Sequence, residues 1–175
     1  MSRRLQRAAA FAAVAIVVAA PSAAARPYAI DDLLSTETLG RSLFTPDGRW
    51  LIVERRRPYA SAPRFDYNQQ TALLLTELLK VDLTADHPTL TALFPQDGGG
   101  GVIAGPMSPD GQSLLVYRLK DHSYRLGVAT PVTGAVRWFA VTPELANHGA
   151  TAVWRTNDEV ILIARALDDL PRQFV

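Results

Sequence analysis

Apolar positions in this chain come in short runs separated by polar turns that carry proline, glycine or aspartate, and that rhythm predicts strands rather than long helices. The clearest runs fall at residues 50–53, 114–119, 124–129, 135–141 and 160–164. Lys120-Asp121-His122-Ser123 and Pro131-Val132-Thr133-Gly134 divide three of them, so residues 114–141 are expected to form an antiparallel meander. A similar ending is expected upstream, where Lys80-Val81-Asp82-Leu83-Thr84 passes through Asp86-His87-Pro88 into Thr89-Leu90-Thr91-Ala92-Leu93-Phe94. Residues 97–101, rich in glycine, are expected to link the two units without entering a core.

The rhythm repeats. Phe44-Thr45-Pro46-Asp47-Gly48-Arg49-Trp50-Leu51-Ile52-Val53 is matched by Met107-Ser108-Pro109-Asp110-Gly111-Gln112-Ser113-Leu114-Leu115-Val116. Each copy is a tight turn entering an apolar strand. The hydroxyl can bond the turn backbone, proline presets φ, aspartate tolerates the bend, and glycine permits a positive φ where the chain reverses. A degenerate third copy at Arg155-Thr156-Asn157-Asp158 precedes Val160-Ile161-Leu162-Ile163-Ala164. The copies start 63 and then 47 residues apart, and the second spacing is close to the roughly 40–50 residues of a four-stranded propeller blade. The expected fold is therefore all-β: a partial β-propeller of about two to three four-stranded antiparallel blades. Blade 1 would span 40–96 with an insertion at 58–79, blade 2 would span 101–142, and a third would start within 150–175. The insertion suits either a short helix or an extra strand, and its periodicity does not choose between them.

The N-terminus changes the picture of the compartment. Arg3, Arg4 and Arg7 precede an apolar stretch from Ala8 to Ala20, followed by Pro21 and Ser22-Ala23-Ala24-Ala25. This is the pattern of a secretory signal peptide over residues 1–25, with cleavage expected after Ala25. The apolar run is short against the roughly 20 residues of a membrane-spanning helix; retention as an uncleaved anchor is the alternative, and Leu5-Gln6-Arg7 fits a twin-arginine signal poorly. A periplasmic or secreted protein is expected, with no stable membrane span after cleavage. The formal charge of +1 over 175 residues owes three arginines to that leader, leaving 15 basic against 17 acidic residues beyond it. A slightly acidic chain lacks the basic face that nucleic acid requires. With no cysteine, disulfides, thiolate metal sites and cysteine nucleophiles are excluded.

Two [Ser/Thr]-Pro-Asp-Gly corners, each leading an apolar strand behind a signal peptide, resemble the propeller repeats of TolB-like proteins and of the prolyl oligopeptidase (S9) family of serine peptidases. A narrower likeness lies in Asp31-Asp32-Leu33-Leu34, Gly40-Arg41, Asp47-Gly48-Arg49-Trp50-Leu51-Ile52, Arg56-Arg57-Pro58-Tyr59 and Phe65-Asp66-Tyr67. These are similar to the N-terminus of lasso peptide isopeptidases, a secreted branch of that peptidase family. The resemblance implies a C-terminal α/β-hydrolase domain with a Ser, Asp, His triad, capped by a propeller that restricts access to peptides. This chain departs from that pattern, because none of its serines sits in Gly-x-Ser-x-Gly. Gly105-Pro106-Met107-Ser108-Pro109 lacks the second glycine and belongs to a corner. No catalytic residue carries over, and the chain is expected to be an inactive fragment of a longer protein, poorly soluble alone because its strand edges are unpaired.

The weak candidates for substrate binding are Arg55, Arg56 and Arg57, which follow an apolar strand and could meet a peptide carboxylate; a solvated strand end is the plainer reading. His87, His122 and His148 have no second ligand at metal spacing, so no metal and no cofactor is expected. Asp121-His122-Ser123 holds three triad residue types, yet neighbours on one turn cannot converge as a triad does. Trp50, Trp138 and Trp154 are expected to pack the blades, and Asp47 and Asp110 to form turns. Two function classes stand side by side. One is the propeller part of a secreted peptidase or isopeptidase, whose peptide substrate would be cut by a hydrolase domain absent from this chain. The other is a non-catalytic TolB-like propeller with a protein partner.

Overall fold

The computed structural model describes residues 26–94, 100–145, 151–167 and 169–174; the expected signal peptide and His148 lie outside them. The chain is all-β in class, built of short antiparallel strands in chain order. In the first sheet β1 (Thr38–Phe44), β2 (Trp50–Arg56), β3 (Thr76–Asp82) and β4 (Thr91–Ala92) lie side by side, each paired with the next. In the second, β5 (Gly101–Met107), β6 (Leu114–Lys120), β7 (Ser123–Ala129) and β8 (Val136–Trp138) repeat that order. A smaller third unit follows, in which β9 (Thr142–Pro143) pairs with β12 (Ala164–Arg165) and β10 (Ala152–Trp154) pairs with β11 (Val160–Leu162). Among the described residues helix is confined to α1 (Ile30–Leu34), α2 (Thr71–Leu74) and three single 3₁₀ turns. No helix among the described residues is long and apolar enough to cross a membrane.

The two corners of the sequence repeat join the first and second strands of the two large sheets, and they match bond for bond. Thr45 N–H donates to the Trp50 carbonyl (2.9 Å) and Gly48 N–H to the Thr45 carbonyl (2.8 Å); 63 residues on, Ser108 N–H donates to Ser113 (2.7 Å) and Gly111 N–H to Ser108 (2.9 Å). Side chains repeat the pattern. Each hydroxyl donates to the aspartate two residues on, Thr45 to Asp47 and Ser108 to Asp110, and accepts the N–H of Trp50 (3.0 Å) or Ser113 (2.9 Å). Gly48 and Gly111 take φ of +70° and +72°, the left-handed region that a Cβ disfavours. The third copy is a shorter turn between β10 and β11: Arg155 N–H donates to the Glu159 carbonyl (2.8 Å) and Thr156 Oγ1 accepts from Asp158 and Glu159.

Strand β6 explains how the layers stack. Its side chains alternate between faces, and both faces are buried, which is why Leu114 to Leu119 is so continuously apolar. Leu114 and Val116 pack with Ile52, Leu78 and Leu93 of the first sheet. Leu115, Tyr117 and Leu119 face the other way, towards Ala152, Tyr67, Leu74 and Phe174, with Trp154, Val160 and Leu162 of the third unit against them. The second sheet is thus a middle layer with a hydrophobic cluster on each side. Each fully buried leucine there stabilises the fold by about 1.5–3 kcal/mol over an exposed one.

Three expectations are corrected. The insertion between β2 and β3 ends at Leu75, not at residue 79: it contains the short helix α2, and Thr76 to Leu79 belong to the third strand. The strands expected over 89–94 and 135–141 shorten to Thr91–Ala92 and Val136–Trp138. Gly101 is not linker but core: it opens β5, and a Cβ there would lie 1.7 Å from the Leu73 carbonyl oxygen. A glycine that looks like a flexible joint is instead the point where the insertion's backbone presses on the second sheet.

Candidate functional site

The arginine run does not assemble into one binding site. Arg55 and Arg56 point to opposite faces of β2. The Arg55 guanidinium is bound to Glu77 on the neighbouring strand, with Glu37 at 4.0 Å. Arg57 turns back on the insertion, its Nη2 donating to the Leu74 carbonyl (3.3 Å) and its N–H to Leu75 (3.0 Å). Arg56 is exposed.

The histidines part company too. His87 is exposed in the turn before β4. Asp121 and His122 form the two-residue turn between β6 and β7, with φ of +46° and +60°, the signature of a tight hairpin. The turn is held from outside: Tyr67, fully buried, accepts the His122 N–H on its hydroxyl (2.8 Å), and Arg64, bound to Asp66, reaches the His122 ring. Asp121, His122 and Ser123 do not converge as a triad, and no group of three metal-ligating side chains occurs among the described residues.

The tryptophans stay with packing. Trp138 lies against Gly127 and under the Arg118 guanidinium at 4.4 Å, Trp50 lies beside Arg49 and Lys80, each 5.3 Å from the ring, and Trp154 Nε1 donates to the Pro106 carbonyl (2.9 Å). Asp47 and Asp110 are corner formers, held below the ordinary carboxylate range by the hydroxyls of Thr45 and Ser108 and then by backbone N–H groups.

A concave surface with a cationic side chain beside it lies where β1, β5 and β10 meet. A cavity of about 340 Å³ is walled by Ile103, Pro106, Tyr117, Tyr124 and Ala152, with Arg41 of β1 at its side. The cavity exists because β5 lacks bulk there: Gly105 sits so close to Tyr117 that a Cβ would approach its ring carbon to 2.8 Å. Tyr117 and Tyr124 stack with centroids 6.0 Å apart, and the Tyr117 hydroxyl bonds the Thr151 side chain. Burial pushes both phenols above their ordinary range, so they remain neutral.

Arg41 donates through Nη1 to the Ala104 carbonyl (3.4 Å). The nearby Glu54 carboxylate is committed to backbone, Oε1 accepting from Ala104 N–H (2.9 Å) and Oε2 from Arg41 N–H (3.2 Å). Sequence reasoning missed Arg41 as a site residue, since an isolated arginine on an edge strand carries no local signal, and the cavity draws on residues more than a hundred positions apart. A second groove, about 380 Å³, lies between β7, β8 and the β10–β11 hairpin, lined by Leu126, Val128, Phe139, Trp154, Val160 and Leu162. In comparisons with known proteins, no family model, no curated protein and no solved structure matches this chain.

Proposed function

We propose that these residues are the opening blades of a β-propeller that shapes peptide access in a secreted serine peptidase of the prolyl oligopeptidase type, of the lasso peptide isopeptidase kind. The hydrolase domain would lie outside this chain, which has no catalytic residues of its own. The observation that carries the reading is the pair of corners, identical in hydrogen bonding, glycine conformation and place, each at the first hairpin of a four-stranded meander. Two sheets with the same strand order, packed face to face with a third unit beyond, are what successive blades around an axis require.

The outer faces support completion by further blades. Val153, Ile161 and Ile163 share the face of the third unit turned away from the second sheet and are 42%, 59% and 60% exposed. Phe44, on the outward face of the first sheet, is 61% exposed. Apolar faces at both ends of a stack of sheets are surfaces built to be covered. The second reading, a non-catalytic TolB-like propeller that binds a partner, is favoured by one observation: the inner cavity beside Arg41 offers recognition groups but no nucleophile and base.

A serine-directed fluorophosphonate probe separates the two. On the peptidase reading it labels the product of the extended reading frame and leaves the 175-residue chain unlabelled. Labelling of the short chain overturns the view that the catalytic serine lies elsewhere, and an unreactive extended product leaves the binding module.

A further inference from the structure

We infer that the cavity between β5, β6 and β10 binds a carboxylate joined to an apolar body, with Arg41 holding the carboxylate and Tyr117, Tyr124, Ile103 and Pro106 enclosing the rest. The inference needs no hydrolase domain and holds for either kind of propeller.

Three observations carry it. First, Arg41 differs from the arginines that are held in ion pairs. Arg49, Arg55, Arg64 and Arg165 each hold a carboxylate, on Asp82, Glu77, Asp66 and Glu144 respectively. Arg41 has no ion pair among the described residues, and one long bond to Ala104 leaves most of its five N–H donors for a ligand. Glu54 makes no ion pair with that guanidinium and is not among the residues lining the cavity; its carboxylate oxygens accept the Ala104 and Arg41 backbone N–H groups.

Second, the cavity beside it has the size and character of a small-ligand site. Its volume of about 340 Å³ falls in the roughly 300–1,000 Å³ range of such pockets, which are mainly apolar with a few placed polar groups. Here those groups are the guanidinium and the Tyr117–Thr151 hydroxyl pair. Third, the charge selects the anion. One guanidinium against an apolar wall matches a monoanion in a bidentate fork, whereas a phosphate dianion would lack a second cation.

The carboxylate could be a peptide C-terminus or a free organic acid, and the experiment distinguishes them. The whole chain is titrated calorimetrically with acetyl-Ala-Ala-Phe as the free acid, with its C-terminal amide, and with 3-phenylpropionate. The acid is expected to bind at least tenfold more tightly than the amide, with Arg41→Gln removing that difference and Arg41→Lys retaining part of it. Binding of 3-phenylpropionate as tightly as the peptide assigns the site to free acids; tight binding of the peptide acid alone assigns it to chain termini. Either supports the inference. Equal affinity for acid and amide, binding of neither, or an unchanged ratio in Arg41→Gln overturns it. Should that variant fail to fold, the wild-type acid-to-amide ratio decides alone.

Discussion

Replacing Ser108 by alanine tests whether the corners are structural joints rather than exposed turns. Ser108 is only 2% exposed, and its hydroxyl does two things at once: it donates to Asp110 Oδ1 (2.6 Å) and accepts the Ser113 N–H (2.9 Å). Alanine leaves the Ser113 N–H without that acceptor beside the start of β6, and an orphaned donor of this kind costs about 1–3 kcal/mol. With a urea m-value of about 2 kcal/mol/M for a domain of this size, a loss of about 2 kcal/mol lowers the midpoint by about 1 M. The assay is urea unfolding of the whole chain followed by tryptophan fluorescence. Ser108→Thr is the control: threonine occupies the equivalent place at Thr45 and makes the same bonds, so it should cost less than half as much. The Asp110 carboxyl gives a second readout, because the Ser108 hydroxyl is the main cause of its low pKa; in Ser108→Ala it should rise towards the ordinary aspartate range in an NMR titration. An alanine cost below about 0.5 kcal/mol, or a threonine cost equal to that of alanine, would refute the reasoning.

Other expectations follow from the same contacts. Gly48→Ala and Gly111→Ala share a φ near +70°, but a Cβ at Gly48 meets nothing within 4 Å while one at Gly111 lies 2.2 Å from Pro46 Cδ; the first should cost about 1–2 kcal/mol and the second clearly more, and equal unfolding midpoints would show that the corners do not press on each other. Tyr67→Phe removes the hydroxyl that accepts the His122 N–H and should lower Tm by about 4 °C; an unchanged melt would mean that the hairpin turn holds itself. Asp82 is held well below the ordinary aspartate range, chiefly by the Arg49 side chain and then by Thr84. Its contribution is therefore full above about pH 4 and lost as the pH falls towards the folded-state value; Asp82→Asn should flatten the decline of the urea midpoint between about pH 4 and pH 2, and an identical decline would place the acid sensitivity elsewhere.

The strand content and the two corners were legible because each is a local signal: alternation within six or seven residues, and a four-residue turn whose members each have a steric reason to be there. The chain order of the meander followed from the short polar turns at 120–123 and 131–134. What stayed hidden depends on contacts across the sequence. Gly101 looked like a joint because its partner, the Leu73 backbone, is 28 residues away. The end of the insertion was ambiguous because 71–79 is apolar but for Thr71, Thr76 and Glu77, and only the pairing of Thr76 to Leu79 with β2 separates strand from the helix before it. Arg55, Arg56 and Arg57 read as one cluster along the chain, yet strand alternation and the Glu77 carboxylate pull them apart. Arg41 could be recognised only once β5 and β10 supplied a cavity beside it.

The corners also link the layers in series. Pro46 of the first sits against Gly111 of the second, and the second offers the Asp110 N–H to Asn157 of the third (3.1 Å). Asn157 stands where the third turn has lost its proline and glycine, so the degenerate copy keeps a contact with its neighbour while its own turn shortens. This bears on why the first two corners are so strictly alike. A turn that served only its own hairpin could drift, since many residues make a serviceable bend. A turn that must also receive one neighbour's proline ring at its glycine and offer the next a backbone donor is constrained on both sides. The repeat is then a requirement of packing between sheets, which is why it survives where the strands themselves differ in all but their apolar alternation.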